Sequence, residues 1–197
     1  MRKLVTVQFV SLDGVMQAPG NPNEDPDAFT HSGWTRPYFA DHRRYIPALY
    51  YNAGGFVFGR RTYEIFAAYW PTVINPHDDV ARALNTLPKY VASRSLVNPT
   101  WQPTEVLRRD VVTEIATLKR EPGNDLVLVG SSQLAHALIA RGVVDEYQLW
   151  VHPIVLGSGK RFFPTRDRTL PLTLVASQTT ASGVVILTYR PTAAQAA

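Results

Sequence analysis

The hydrophobic pattern is clearest between residues 126 and 142 (LVLVGSSQLAHALIARG). Four apolar residues at 126–129 predict a short buried strand, because their number and β-branching favour a strand over a helix. Gly130 interrupts the run, and Ser131 and Ser132 are typical of a helix N-cap. Gly142 stands where a helix commonly ends. The apolar residues that recur at helical spacing in between are Leu134, Ala135, Leu138 and Ile139. The segment therefore predicts a strand, a tight glycine turn and a helix.

Similar patterns recur along the rest of the chain. Apolar runs predict further strands at residues 4–10, 56–58, 90–92, 105–107, 147–151, 172–178 and 184–189. Helical spacing predicts helices at residues 37–51, 78–84 and 110–119. It predicts a further helix that begins at residue 60 and is ended by the sequence YWP at 69–71. Gly54 and Gly55 are expected to close the first of these helices, and residues 17–27, rich in Pro, Asn and acidic residues, to form a long loop.

The order of these elements predicts the fold class. Strands that alternate with helices indicate a three-layer α/β fold, with a mixed, mostly parallel sheet flanked by helices. The last two strands have no helix between them, so we expect an antiparallel C-terminal strand pair. Residues 1–191 should form a single domain, followed by a frayed tail at 192–197.

Composition narrows the classes of function. The chain has 197 residues, of which 45% are hydrophobic and 18% charged, so it is globular. A net charge of +4 favours an anionic small molecule as the ligand. No run of Lys and Arg is long enough to form a nucleic-acid-binding tail. There is no cysteine, and the histidines lack metal-site spacing, so no metal is expected. No segment looks like a signal peptide or a membrane span, and we expect a cytoplasmic protein.

Three of the predicted strand ends carry groups that suit phosphate. Gly130 is followed by two serines at a helix start, where free N–H groups and the helix dipole favour an anion. Gly59 is followed by Arg60, Arg61 and Thr62, which add charge-assisted bonds and a hydroxyl. Each feature has a plainer alternative: an ordinary turn, or arginines that only face solvent. Ser93 and Arg94 follow a third predicted strand. Ligands of open α/β sheets bind at the carboxyl ends of strands, so three phosphate-binding strand ends together suggest a dinucleotide.

Two common nucleotide motifs do not account for this pattern. No GxGxxG sequence follows any of the predicted strands. Residues 157–160 (GSGK) look like part of a Walker A loop, but the first glycine is missing and Arg161 replaces the required Ser or Thr.

Five segments resemble the dihydrofolate reductase-like family, in the family's order. Within it, the chain looks closest to the bacterial group related to the reductase domain of riboflavin biosynthesis. The segments are VSLDGVM (10–16), FGRRTYE (58–64), YVASRSL (90–96), LVLVGSSQLAHALI (126–139) and HPIVLGSGKRFFP (152–164). Each is weak alone, but their order and spacing are specific.

The resemblance implies that NADPH lies across the sheet edge. It assigns Arg60, just after Gly59, and Arg94 to the 2′-phosphate, and Ser93 to the adenine ribose. Arg61 and Thr62 would contact the pyrophosphate. The residues implied along the pyrophosphate and nicotinamide are Gly130, Ser131, Ser132, Gln133 and Leu134. Those implied to border the nicotinamide are Val10, Gly14, Val15 and Met16.

The chain departs from the family where a folate reductase carries its buried acid. Trp34 and Pro37 fit that frame, but the acidic position falls near Tyr38 or Phe39, and Asp41 comes two or three residues late. Asp41 is a weak catalytic candidate, and a solvent-facing aspartate is the more economical interpretation. Asp13 is a second candidate, for which capping of the turn beside Gly14 is an equal alternative.

The resemblance implies an NADPH-dependent reductase of a small heterocyclic or carbonyl substrate, similar to 5-amino-6-(5-phosphoribosylamino)uracil reductase and dihydrofolate reductase. The alternative is an NADP(H)-binding module without turnover, used as a sensor or scaffold, which the displaced acid favours. We also expect a homodimer, because the resemblance points to pairing and the strand at 147–151 is rich in aromatics typical of interfaces. Burial of Trp150 inside one chain is the alternative.

Overall fold

The computed structural model describes residues 1–24, 29–163 and 169–192, and these form one eight-stranded sheet with helices on both faces. The strands are β1 Leu4–Ser11, β2 Ala53–Gly59, β3 Lys89–Ala92, β4 Thr104–Leu107, β5 Asp125–Val129, β6 Glu146–His152, β7 Leu172–Thr179 and β8 Val185–Pro191. The helices are α1 Phe39–Tyr51, α2 Arg60–Tyr69, α3 Asp79–Thr86, α4 Val111–Arg120 and α5 Ser132–Ala140, with 3₁₀ turns at Arg36–Tyr38 and Trp70–Thr72.

The sheet has the order β4-β3-β2-β5-β1-β6-β8-β7. The first six strands run parallel, β8 pairs antiparallel with β6, and β7 pairs antiparallel with β8. Buried side chains from α1, α2 and α3 join the core on one face, and those from α4 and α5 join the core on the other. The predicted fold class, a three-layer and mostly parallel α/β fold with an antiparallel C-terminal pair, is confirmed.

Gly54 and Gly55 do not close the first helix, as the sequence suggested, but lie inside β2. The glycine at 54 is required by close packing: a Cβ there would lie 2.3 Å from the carbonyl oxygen of Asn124. Arg2 fills the same space, donating from Nη2 to the carbonyl oxygen of Gly54 and from Nε to that of Asn124. The strand therefore begins three residues before the apolar run that predicted it. The tail at 193–197 and the end of the loop at 25–28 lie outside the described residues.

The aromatic side chains of β6 face the interior of the chain and not a partner. Tyr147 and Trp150 are each 1% exposed, and β6 is paired on both sides, with β1 and with β8. The argument for a dimer interface from these aromatics is therefore wrong, although pairing of two chains stays a prediction. Trp150 packs against Phe9 and His42, with ring centroids 5.5 and 5.6 Å apart.

Replacing Trp150 with alanine should lower the free energy of unfolding by about 3–5 kcal/mol, because the cavity left in a closed core cannot fill. Urea denaturation followed by circular dichroism measures this. Ile74, which is 89% exposed, supplies the control: Ile74→Ala should leave the midpoint nearly unchanged. If Trp150→Ala left the stability unchanged but weakened self-association, the result would show that Trp150 lies in an interface between two chains.

Candidate functional site

Two of the predicted phosphate turns meet at the carboxyl edge of the sheet. β2 and β5 are neighbours, so the turns that follow them lie side by side. The backbone N–H of Gly59 donates to Oγ of Ser131 at 2.8 Å, and the N–H of Ser131 donates to Oγ1 of Thr62 at 3.1 Å. These reciprocal bonds bring the first residues of α2 and α5 together from opposite faces of the sheet.

Ser131 precedes α5 without capping it in the usual way. Its backbone is left-handed (φ 58°, ψ 53°), and its hydroxyl makes no bond to the helix N–H groups. The hydroxyl instead donates to the carbonyl oxygen of Val129 at 3.1 Å while accepting from Gly59. The predicted side-chain cap is therefore wrong. The first N–H groups of α5, those of Ser132 and Gln133 included, have no intrahelical acceptor and suit an anion. Leu134, one residue further on, is buried in the core.

The third strand end lies next to the first two. β3 is the neighbour of β2, with Ala92 opposite Gly59, so Arg60 and Arg94 follow adjacent strands by one and two residues. Both side chains are exposed, and Arg60 is 3.7 Å from Glu64 in an ion pair one helical turn away. Ser93 closes its own loop, since its hydroxyl accepts from the N–H groups of Ser95 and Leu96. Because β2 and β3 are neighbours in the sheet, Arg60 and Arg94 are close enough in the fold to contact the same phosphate group.

A cavity of about 270 Å³ opens beside Arg94, and sequence reasoning missed its far wall. Its lining residues are Ala92, Ser93, Arg94, Leu107, Arg109, Asp110 and Val111. Among the described residues, the guanidinium groups of Arg94 and Arg109 have neither a hydrogen-bond nor an ion-pair partner. Arg109 follows the end of β4, so the rule that singled out the other three strand ends would also have found it.

The loop after β1 is bound tightly to the chain. Val10, Val15 and Met16 are 4%, 0% and 7% exposed, and Gly14 turns the chain with φ 82°. Val15 bridges to Arg161, so this loop and residues 160–162 form one unit. The residues that the resemblance assigns to the nicotinamide therefore form a firm wall at the end of β1.

Asp13 holds this unit together. Its carboxylate accepts hydrogen bonds from the hydroxyl of Ser11 at 2.6 Å and from the N–H groups of Leu156 and Gly157 at 3.1 and 3.0 Å. The bond from Ser11 is the main cause that lowers the pKa of Asp13 to about 2. A carboxyl group that stays ionised is a poor proton donor, so the geometry favours turn capping over catalysis.

Asp41 lies inside the protein, and the interpretation of it as a solvent-facing residue is wrong. It is 7% exposed and accepts from the N–H of Ser182 at 3.2 Å and from that residue's hydroxyl. Hydrogen bonds from Ser182 and Thr180 lower its pKa. Asp41 therefore ties α1 to the turn between β7 and β8. As an ionised acceptor it is a weak candidate for donating a proton.

Two histidines that sequence reasoning did not connect meet at the same edge. Nε2 of His42, in α1, lies 2.9 Å from Nε2 of His152, the last residue of β6. The two residues are 6% and 0% exposed. They are 110 residues apart in the chain, and nothing local in the sequence marks them as a pair.

Neither a metal cluster nor a membrane-spanning helix is found in the described residues. No group of three His, Cys, Asp or Glu residues capable of holding a metal ion occurs among the described residues. Within the same ranges, no helix combines the length and the hydropathy that crossing a membrane requires.

Comparison with known proteins gives three findings. Residues 2–186 match the model of the RibD C-terminal domain. The chain is 28% identical over 194 residues to "Uncharacterized protein YyaP" of Bacillus subtilis (strain 168), covering 95% of this chain and 94% of that protein. The crystal structure of a "Putative riboflavin biosynthesis protein" from Shewanella sp. PV-4 superposes with a TM-score of 0.67 at 19% identity, covering 98% and 99% of the two chains. The last likeness shows the same fold.

Asp13→Asn should make the protein less sensitive to acid. The folded pKa of Asp13 lies below its ordinary value, so its contribution to stability is present above pH 3.8 and disappears as the pH falls towards 2. At neutral pH the variant should be less stable by about 1.5–3 kcal/mol, the usual contribution of bonds to a charged group. Thermal denaturation from pH 6 to about 2 tests this. Wild type and variant should converge in stability at the acid end, and parallel curves would contradict the role given to Asp13.

Proposed function

The chain belongs to the RibD C-terminal domain family, and on this premise we propose that it is an NADPH-dependent reductase of a small heterocyclic or carbonyl substrate. The observation that carries the proposal is the junction of residues 59–62 with residues 130–132. It brings two helix N-termini together at the carboxyl edge of neighbouring parallel strands, the position where open α/β sheets bind nucleotides. The family is in general one of NADPH-binding, reductase-like domains.

The residues present at this edge fit NADPH. The pyrophosphate would lie at the starts of α2 and α5, near Thr62 and Ser132. The 2′-phosphate, with close to two negative charges, would lie near Arg60 and Arg94. The cavity beside Arg94 provides space for the adenosine, and Arg109 adds a second unpaired cation to its wall.

When bound, the nicotinamide supplies the hydride, and the protein supplies orientation and a pocket with little water. The buried loop after β1, from Val10 to Met16, would form the wall against which the nicotinamide ring rests. Aromatic side chains of β1 and α1, Phe9 and Phe39 among them, would line the side where a flat substrate lies. Neither Asp13 nor Asp41 is suited to deliver the proton, because both are held ionised by hydrogen bonds.

The second candidate is an NADP(H)-binding module without turnover. The observation in its favour is that Tyr38 and Phe39 occupy the frame in which a folate reductase has its acid, and that Asp41 is bound to Ser182. Both functions predict nucleotide binding, so only chemistry on a second molecule separates them.

Oxidation of NADPH should be detectable with at least one member of a panel of pterins, pyrimidines, quinones and aldehydes, whereas dihydrofolate should be a poor substrate because the acid is absent from its usual frame. Loss of absorbance of the reduced nicotinamide measures both. Turnover of dihydrofolate at an ordinary enzymatic rate, on the order of 10 per second, would contradict the second part. Tight NADPH binding with no oxidation by any compound would favour the module.

The double variant Arg60→Ala/Arg94→Ala should bind NADPH about two to four powers of ten more weakly and NADH almost unchanged. The reason is that each charge-assisted bond to the 2′-phosphate contributes roughly 1.5–3 kcal/mol, and about 1.4 kcal/mol is a factor of ten. Isothermal titration of the single and double variants with both nucleotides measures this. Added salt should weaken NADPH binding more steeply than NADH binding.

Arg120→Ala is the matched control for charge, since Arg120 is exposed at the end of α4, towards the opposite edge of the sheet. It should leave both affinities unchanged. Equal losses for NADPH and NADH in the double variant would show that Arg60 and Arg94 do not read the 2′-phosphate. Unchanged NADPH affinity would remove them from the site.

A further inference from the structure

The buried pair of His42 and His152 lies where α1 crosses the ends of β1 and β6. His152 stands opposite Ser11, the last residue of β1, and its Nδ1 approaches the carbonyl oxygen of Val10 at 3.2 Å. His42 stacks on Phe9 with ring centroids 4.2 Å apart and an interplanar angle of 18°. The pair is therefore in direct contact with the strand whose end would bear the nicotinamide.

The contacts of His152 fix the position of its proton. Its Nδ1 lies 2.8 Å from the carbonyl oxygen of Trp150 as well as 3.2 Å from that of Val10. Carbonyl oxygens only accept hydrogen bonds, so this nitrogen carries the hydrogen. In the neutral ring the other nitrogen, Nε2, is then a bare acceptor.

This arrangement fixes the tautomer of His42 in turn. Because Nε2 of His152 accepts, Nε2 of His42 at 2.9 Å must be the donor. Nδ1 of a neutral His42 consequently carries a lone pair and no hydrogen. The carbonyl oxygens of Val10 and Trp150 thus determine, through His152, that Nδ1 is the acceptor nitrogen of His42.

Both rings are neutral at ordinary pH. Burial lowers the pKa of His42 to about 3, with a further lowering from His152, and burial lowers the pKa of His152 to about 4. Asp41 acts in the opposite direction on His42, but its carboxylate is turned to Ser182. The rings packed around the pair carry no formal charge; they belong to Phe9, Trp34, Tyr38, Phe39 and Trp150.

One atom of the pair remains without a partner. Nδ1 of His42 makes no hydrogen bond to any described residue. Every fully buried side-chain nitrogen and oxygen of the described residues does have a partner. Nδ1 of His42 must therefore reach an accessible surface, although the residue as a whole is only 6% exposed. It is a single acceptor in an aromatic surrounding, with its direction set by the fold.

We propose that Nδ1 of His42 accepts a hydrogen bond from an N–H group of the substrate and so selects nitrogen heterocycles that carry a ring N–H over carbonyl compounds that carry none. The inference rests on the proposed reductase function and narrows its substrate class. A neutral acceptor pairs with N–H and repels a carbonyl oxygen at the same place. If a bound substrate offered no donor, Nδ1 of His42 would lose its hydrogen bond to water and gain none in return, and the affinity for that substrate would be lower. His152 is a positioning residue, since it acts only through His42.

The first experiment reads the tautomers directly. Imidazole ¹⁵N shifts distinguish protonated from bare nitrogens, and the wild-type protein should show His42 protonated at Nε2 and His152 at Nδ1. Addition of lumazine, which has two ring N–H groups, should shift Nδ1 of His42. Addition of 1,3-dimethyllumazine, which keeps both carbonyls and has no N–H, should not. A His42 ring protonated at Nδ1 would overturn the proposal.

The second experiment measures affinity with the NADPH-loaded protein. His42→Phe keeps a ring on Phe9 but has no acceptor, and it should lower the affinity for lumazine at least about tenfold, the loss of one hydrogen bond with its acceptor. It should leave the affinity for 1,3-dimethyllumazine unchanged. His42→Asn, whose amide can donate to His152 and still accept, should recover part of the loss. His77→Phe, at an exposed histidine, is the matched control and should change neither.

The variant His152→Phe separates positioning from packing. It frees His42 to populate both tautomers, which the ¹⁵N spectrum would show, and lumazine should lose less affinity than in His42→Phe. Equal binding of the two lumazines, equal lumazine binding by wild type and His42→Phe, or no lumazine binding at all would each overturn the inference. If NADPH itself fails to bind the wild-type protein, the proposed function fails. In that case the ¹⁵N spectra of the protein without NADPH, recorded with and without lumazine, still test the inference independently of the proposed function.

Discussion

The bond between the hydroxyl of Ser131 and the N–H of Gly59 is the contact on which the candidate site depends. It joins the ends of two neighbouring parallel strands, and the return bond from the N–H of Ser131 to Thr62 closes the junction. Ser131 reaches this position only because its backbone is left-handed, a conformation that costs a non-glycine residue on the order of 1 kcal/mol or more. The strained residue lies where the first residues of α2 and α5 meet at the carboxyl edge of the sheet.

A second constraint is that polar groups placed inside the core need partners. Asp41 is satisfied by Ser182 and Thr180, and Lys89 by the carbonyl oxygens of Leu84 and Leu87 at 2.9 Å each. Lys89 also lies over the ring of Trp101, and its burial lowers its pKa to about 8. Against this background, Nδ1 of His42 is notable as a nitrogen of a buried residue that has no hydrogen-bond partner among the described residues.

The parts of the fold that follow from local pattern could be predicted from the sequence. Apolar runs located the strands, and helical spacing located α3 and α4, which Asp78 and Asp110 cap. The hydroxyl of Ser131 was assigned to a helix cap because its true partner, Gly59, is 72 residues away. For the same reason the bond between His42 and His152, and that between Asp41 and Ser182 across 141 residues, had no signal in the sequence.

Charge is distributed differently at the two edges of the sheet, and the difference bears on where a ligand binds. At the amino edge, opposite charges lie close together: Lys119 is 2.6 Å from Asp145, and Arg190 is 2.9 Å from Glu146. An arginine held in such a pair gives up part of that contact when it binds a phosphate, and this applies to Arg60, which is 3.7 Å from Glu64. At the carboxyl edge, Arg94 and Arg109 have no ion-pair partner among the described residues. Exposed cations of this kind are hydrated at little cost, and their field remains available to an incoming anion. Arg94 and Arg109 therefore place unpaired positive charge at the edge where the strand ends, the two helix N-termini and the cavity coincide.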